Sequence, residues 1–393
     1  MSDRASKTRW LNSTVLGIGL ASLFSDTGHE MATAAMPALL ASLGASSAML
    51  GIIEGLADGL SSFAKLASGT YSDRLHRRKP LAVLGYFLTA AGMASFAFAT
   101  RAWHVLVGRL VGWVGRGSRG PVRNVLLTEA TTPETYGRAF GLERAMDSAG
   151  AVVGPALALV LLPLVGMHGH FLVTFVPGIL SALAIAFLVR EGRHGPPAHR
   201  SIVEGFRGLP NAYRRFLFGV GLAGLGDFSN TLLILFATQA WTPRFGLAKA
   251  ASLAMGFYVA YNVVYTASCY VAGVLADAYP KQRVLAAGYA LAVIPAVALM
   301  LPGDSFGKFA VVFGFSGLYM GFWETVESSS AAEYLPREVR GTGYGTLATV
   351  NGIGDVASSA IVGALWAAEP RVAMGYVIAT SLLGASVIVT TRQ

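Results

Sequence analysis

Gly69-Thr70-Tyr71-Ser72-Asp73-Arg74-Leu75-His76-Arg77-Arg78-Lys79 is too short and too charged to span a membrane, yet it lies between two long apolar runs. Arg74, Arg77, Arg78 and Lys79, with His76 among them, follow directly on an apolar run of about twenty residues, the length of one crossing. A charge cluster at the end of such a run marks a cytoplasmic loop between two membrane helices. The same grammar returns at Gly273-Val274-Leu275-Ala276-Asp277, with Lys281 and Arg283 after it. Gly69 and Gly273 stand 204 residues apart, and so do Asp73 and Asp277. At the same offset Phe24-Ser25-Asp26-Thr27 returns as Phe228-Ser229-Asn230-Thr231, and Arg138-Ala139-Phe140-Gly141 as Thr342-Gly343-Tyr344-Gly345. Recurrence at one period predicts a duplicated unit.

Composition points the same way. Hydrophobic residues make up 54% of the 393 residues and charged residues 13%, about half the charged share of a soluble domain. The class is therefore a polytopic membrane protein, and an all-α one, because backbone groups in lipid find partners only within helices or closed barrels. The net charge of +9 is topology and not a nucleic-acid footprint. Arg4, Lys7, Arg9, the loop after Gly69, the 190–215 segment, Lys281 and Arg283 crowd one side, which predicts both termini in the cytoplasm. Cys269 is the single cysteine, so no disulfide and no cysteine-based metal site are expected. The first apolar run carries Asp26, His29 and Glu30 and reads as the first membrane helix, not a cleaved signal. Spans are expected at 13–41, 48–69, 81–100, 102–127, 138–164 and 170–190, then at 213–240, 248–276, 284–301, 307–331, 341–367 and 371–390. Residues 191–212, with Pro196 and Pro197, read as a linker between halves 1–190 and 213–393.

The loop at 69–79 resembles the signature between the second and third helices of the major facilitator superfamily, and Gly273–Asp277 its weaker copy between the eighth and ninth. Tyr71 and His76 stand where a leucine and a glycine are usual. The resemblance implies twelve transmembrane helices in two pseudo-symmetric six-helix halves. It also implies a monomeric secondary transporter in a cell membrane, a bacterial inner membrane by type, that moves small molecules by alternating access. Arg109 with Gly112, Gly115 and Gly117 is similar to the family's fourth-helix motif. Gly150-x-x-x-Gly154-Pro155 is similar to the fifth-helix motif of its drug/proton antiporters. Glycines four apart also serve plain close packing, and Pro155 is placed to bend the helix. Following the resemblance, Asp73 acts at a cytoplasmic gate with Gly69, Arg74, Arg77, Arg78, Asp277, Gly150, Gly154 and Pro155. For the three arginines a topogenic role stands equally open.

Ionisable groups inside spans cost about 2.5–3.5 kcal/mol each, so each needs a partner or a purpose. Asp26, His29 and Glu30 share one helical face with positions 33 and 37. Asp26 is read as the principal proton-coupling residue, followed by Glu30, Asp147 and Glu143. The competing reading makes these acids counter-charges to arginines, and His29 either a cavity ligand or a hydrogen-bonding packer. Arg109, Arg116 and Arg123 recur at steps of seven, with Arg119 close to their face. A guanidinium stays protonated, so it can hold a carboxylate or bind an anion but cannot carry the coupling proton. Arg109 and Arg116 are assigned to the substrate cavity, Arg123 to a snorkelling end charge. Glu143 and Asp147, four apart on one face, repel one another.

The second half differs: Asp26 becomes Asn230, Asp147 becomes Asn351, and the arginine stripe gives way to Trp323, Glu324 and Glu327. With Asp227, Asp355 and Tyr261 these complete the expected substrate cavity. Asp26, His29, Glu30, Met31 and Met36 offer metal ligands without a convergent set, so no metal and no cofactor are assigned. No Ser/His/Asp set, H-E-x-x-H or phosphate loop is present, which argues against a membrane enzyme, and the twofold duplication against a receptor. The reading is proton-coupled efflux of a small molecule. The alternative is proton-coupled import of an organic anion, a transition-metal ion or a metal complex.

Overall fold

The computed structural model of the chain describes residues 10–45, 47–192, 202–228 and 230–391, and every regular element among them is a helix. In order these are α1 (Ser13–Ser42), α2 (Ser47–Ser72), α3 (Lys79–Ala94), α4 (Ala102–Glu129), α5 (Tyr136–Val173), α6 (Phe175–Leu188) and α7 (Ile202–Arg207). There follow α8 (Asn211–Gly224), α9 (Asn230–Phe245), α10 (Leu247–Ala278), α11 (Lys281–Leu291), α12 (Val293–Met300), α13 (Phe306–Tyr334), α14 (Arg340–Ala368) and α15 (Pro370–Thr390). Contacts divide the chain into two units: Met1–Gly208 with Leu335–Ala348, and Leu209–Tyr334 with Thr349–Gln393. The first turns of α14 therefore belong to the first unit. Of the expected linker, Pro196 and Pro197 lie outside the described residues, as does Ser229 of the Phe228–Thr231 repeat.

In the first unit α1 packs along α5 and α6, α3 against α4 and α6, and α2 against α4. Asn12 starts α1: its side-chain oxygen accepts the backbone N–H groups of Thr14 (2.9 Å) and Val15 (3.0 Å), while its amide donates to the Ala130 carbonyl (2.8 Å). One residue thus caps α1 and ties it to the end of α4. Helix α4, the most charged of the set, approaches its neighbours through glycine. A Cβ on Gly115 would stand 2.6 Å from the Gly85 carbonyl oxygen of α3, and one on Gly117 2.6 Å from the Ser61 carbonyl oxygen of α2. Backbone meets backbone there, the close approach that small residues allow.

In the second unit α10 packs against α9 and α13, α8 against α15, and α11 and α12 against both α13 and α15. Trp241, Phe236, Phe309 and Phe313 anchor its apolar core, and the Trp241 indole N–H donates to the Asp304 carbonyl (2.7 Å).

Among the described residues seven helical stretches are long and apolar enough to cross a membrane: Lys79–Phe98, Pro133–Leu188, Lys249–Ala278, Lys281–Met300, Phe306–Tyr334, Arg337–Ala368 and Pro370–Thr390. The second holds 56 residues, more than two crossings need. Helices α1 and α4 carry the charges that keep their composition out of this set. The expected span 213–240 is not one helix: α8 stops at Gly224 and α9 starts at Asn230, with Asp227 in the break. The expected span 284–301 is likewise divided, at Ala292. Pro155, expected to bend the helix, lies inside α5 with helical angles. Within α5 the residue with non-helical angles is Gly166 (φ 69°, ψ 175°), a left-handed φ open to glycine.

Candidate ion-coupling site

Asp26 sits in the middle of α1, 3% exposed. Arg116 grips it with both ends of its fork, Nη1 to Oδ1 at 3.1 Å and Nη2 to Oδ2 at 3.3 Å, and Arg119 Nη2 donates to Oδ1 at 3.2 Å. Arg119 also reaches the Ser25 hydroxyl and lies over the Tyr86 ring, 4.3 Å from its centroid. One carboxylate is thus held by two guanidiniums, a charge-assisted and partly bidentate arrangement. Arg119, which the spacing of seven places off the stripe, is as much a partner of Asp26 as Arg116 is. The signal for this is its position three residues on from Arg116.

One turn further along α4, Arg123 does not snorkel. It is buried, its Nη1 lies 2.7 Å from Glu143 Oε1 and 3.6 Å from Asp147 Oδ1, and it donates to the Ser22 hydroxyl at 2.9 Å. Ser22 passes a hydrogen bond on to Glu143 Oε1 at 2.7 Å. Arg144 meets the same two acids, Nε to Glu143 Oε2 at 3.7 Å and Nη1 to Asp147 Oδ2 at 3.6 Å. Glu143 is 0% exposed. The repulsion expected between Glu143 and Asp147 is relieved by arginines placed beside both.

Arg109 takes different company. Its Nη1 donates to the Thr33 hydroxyl (3.0 Å) and approaches the Met93 sulfur (3.8 Å), and its guanidinium lies 4.9 Å from the Trp113 ring centroid. Trp113 also faces Arg116 at 5.3 Å and the His29 ring at 5.0 Å. His29 Nε2 is 4.0 Å from Glu30 Oε1, and His29 Nδ1 is buried without a hydrogen-bond partner among the described residues. Glu30 is only partly buried. The fifth-helix glycines build the wall behind these groups. A Cβ on Gly150 would collide with the Leu23 carbonyl oxygen, and one on Gly154 would stand 2.7 Å from both the Glu30 Cβ and the Thr27 carbonyl oxygen. The stripe therefore presses α5 onto α1 at Asp26 and Glu30, while Pro155 faces outward.

At the 69–79 loop Asp73 meets the start of α14. Oδ1 accepts the Gly341 N–H at 2.8 Å; Oδ2 accepts the Thr342 N–H and the Thr342 hydroxyl, both at 2.8 Å. A carboxylate at a helix N-terminus satisfies donors that the helix itself cannot. Burial pushes the Asp73 carboxyl above its ordinary value, against the downward pull of those bonds. Gly69 makes the approach possible, since a Cβ there would run into the Gly341 carbonyl oxygen. The three arginines separate. Arg78 is buried, its Nε donating to the Ser72 carbonyl (3.0 Å) and its Nη1 to Glu129 (2.5 Å). Arg74 and Arg77 are exposed.

The second unit gathers its own group. Glu327 accepts from Asn351 (2.5 Å), Trp323 (2.6 Å) and Tyr289 (2.9 Å), and Glu324 from Tyr265. Asp227 is hydrogen-bonded to Tyr319, and Tyr261 to Asn230. Asp355 is exposed, and Asp277 is half-buried in the last turn of α10. Among the described residues no three His, Cys, Asp or Glu side chains converge as metal ligands.

Similarity to known proteins follows the fold. The profile of the family described as Major Facilitator Superfamily matches residues 18–359. An uncharacterized MFS-type transporter of Methanocaldococcus jannaschii is 26% identical over 94% of this chain and 92% of its own length. The multidrug resistance protein MdtH of Cronobacter sakazakii is 33% identical over 37% of this chain and 35% of its own. Among solved structures, the fucose:proton symporter of E. coli superposes with a TM-score of 0.76 at 16% identity, over 97% of this chain and 100% of its own. The human organic anion transporter MFSD10 does so at 0.72 and 16%, over 96% and 99%.

Proposed function

The chain belongs to the Major Facilitator Superfamily, and from that premise we propose that it is a proton-coupled antiporter exporting small molecules by alternating access. In this reading it crosses a cell membrane twelve times, with both termini cytoplasmic and the 191–212 segment between its halves. Secondary active transport is the work of the family; the coupling ion and the direction are the proposal. Partial similarity to MdtH supports export.

One observation carries the coupling: Asp26, a buried carboxylate whose partners are Arg116 and Arg119. A proton arriving on Asp26 competes directly with two guanidiniums. Protonation releases both from their partner, and deprotonation recaptures them, so proton occupancy biases any two-state element that α1 and α4 belong to. Glu30 and Asp147 follow as secondary carriers. Glu143, tied to Arg123 and Ser22, ranks last.

Purified protein in liposomes with an imposed pH gradient, screened against cationic dyes, organic anions and metal ions, is the test. Uphill movement of a dye that collapses when the gradient is dissipated is the expected result; uptake indifferent to the gradient would sink the coupling. A second reading, import of an organic anion, draws on Arg116, whose side chain keeps 27% exposure while it holds Asp26. Accumulation of an anion in the direction of the proton gradient would select it.

A further inference from the structure

The break between α8 and α9 borders a cavity of about 40 Å³, lined on its polar side by Asp227, Asn230, Tyr261, Ser316 and Tyr319 and on its apolar side by residues such as Leu233 and Leu299. About 10–15 Å³ of such space holds one water, so the cavity takes one small ion with a water or two and excludes an organic cation. A second helix break abuts it. Chain passes from α11 to α12 at Ala292, and Pro295, which lines the cavity, has no N–H to give the Leu291 carbonyl. Interrupted helices that bring backbone carbonyls and a carboxylate to one point are how transporters coordinate small cations.

We propose that this cavity is a binding site for a single monovalent cation of the size of Na⁺, with the Asp227 carboxylate as the charged ligand and Asn230 and Ser316 as neutral ones. Ser316 adds a neutral oxygen: it is 8% exposed and belongs to the cavity lining, and a hydroxyl offers two lone pairs to a cation.

Charge selects the ligand. The ionised groups that act on Asp227 are Asp355, Glu324 and Glu327, all carboxylates, with Tyr319 as its hydrogen-bond donor. Every described Lys and Arg of the second unit stands within the first five or last two residues of its helix: Arg214, Arg215, Arg244, Lys249, Lys281, Arg283, Lys308 and Arg371. A carboxylate in an interior without cations of its own calls for one from outside. A single carboxylate in the lining balances one positive charge, where Ca²⁺ asks for six to eight oxygens with several carboxylates among them.

The site stands apart from the proton exchange proposed at Asp26, and its readout is binding rather than transport. The full chain in detergent at fixed pH and ionic strength is titrated with NaCl against choline chloride while thermal unfolding is followed by tryptophan emission. A ligand that binds only the folded state raises the midpoint in a saturable way. The expected result is a Na⁺-specific rise, with KCl shifted to higher concentration by tenfold or more. Asp227→Asn abolishes the rise, and Ser316→Ala moves half-saturation about tenfold upward. Superimposable NaCl and choline titrations of the wild type overturn the proposal, as does a Na⁺ response undiminished in Asp227→Asn. Should Asp227→Asn fail to fold, an unchanged half-saturation in Ser316→Ala overturns it instead. A midpoint that follows pH but ignores Na⁺ makes the group a proton carrier and also overturns it.

Discussion

Position 123 in the first unit is an arginine, and 204 residues later, in the second, position 327 is a glutamate. Their partners are also a pair at that offset: Arg123 lies 3.6 Å from Asp147, and Glu327 accepts a 2.5 Å bond from Asn351. The duplicated scaffold keeps the contact and changes what it holds. In the first unit a carboxylate faces a guanidinium. In the second it faces neutral donors: an amide, an indole and a phenol. Ion pairs of the first kind can be made and broken by a proton, since protonation removes one of two opposite charges. A carboxylate of the second kind keeps its donors and leaves its charge for a cation from outside. Coupling by competition in one unit and cation capture in the other is the division of labour that this difference supports.

The largest expected effect lies on that division. Asp26→Asn, which keeps the side chain's shape and one acceptor oxygen for the guanidiniums, should reduce uphill transport driven by a pH gradient to the level of empty liposomes when compared at equal folded yield. Glu327→Gln should keep the pH dependence and weaken apparent substrate affinity about tenfold, or about 1.4 kcal/mol. Flux assays on both variants in one preparation decide it. Gradient-driven transport that survives Asp26→Asn and vanishes in Glu327→Gln would exchange the roles of the two units.

Next in size is stability. Removing Arg123 leaves Glu143 and Asp147 buried with less counter-charge, and losing one partner of a buried ion pair costs about 3–5 kcal/mol. Asn351→Ala removes one bond to a carboxylate that keeps two others, a cost of about 1.5–3 kcal/mol. Thermal unfolding of Arg123→Ala and Asn351→Ala should therefore rank in that order. Equal losses would erase the energetic contrast between the units.

Much of this architecture is legible in the amino-acid sequence alone. The charged loop, its echo at 204 residues and the apolar runs suffice for an all-helical membrane protein of this family. The acids and arginines of α1, α4 and α5 can be named as a set, because a charge in a span must be explained. Pairing is another matter. Helical spacing says which face Arg123 occupies but not that α5 brings Glu143 and Asp147 to it, so a buried ion-pair centre reads as a charge at a helix end. Arg74, Arg77 and Arg78 look alike in the chain. Only the distant Glu129 and the Ser72 carbonyl single out Arg78. The interruption at Asp227 has a signal of its own, Gly224 and Gly226 beside an acid in an apolar run. Hydropathy alone runs straight through it.

A smaller effect is expected at the two loop acids. Asp73 accepts three hydrogen bonds from the start of α14, whereas Asp277, its copy, is half-buried at the end of α10. Asp73→Asn replaces a charge at a helix N-terminus and should cost up to about 2 kcal/mol, with transport reduced severalfold at normal expression. Asp277→Asn should cost transport less, because the helix-capping charge belongs to Asp73. Normal transport by Asp73→Asn would make that aspartate a topogenic loop acid like any other.

The smallest expected change discriminates most finely. Arg116 holds Asp26 with two nitrogens at 3.1 and 3.3 Å, and Arg116→Lys keeps the charge while losing the fork. If Arg116 is counter-charge to Asp26, the proton competes with fewer donors for the carboxylate. The lysine variant then transports at roughly half the wild-type rate or better, with its pH profile moved to higher pH. If Arg116 binds the substrate, the lost fork weakens recognition of a carboxylate or phosphate, and apparent affinity falls about tenfold while the pH profile stays in place. The geometry favours counter-charge, because the fork is already spent on Asp26 and Arg119 reinforces it from the other side at 3.2 Å. Initial rates across a pH series, with substrate varied at each pH, separate the two. An unmoved profile with a tenfold rise in half-saturating substrate would turn the first unit into a substrate site and leave proton coupling to be sought at Glu30.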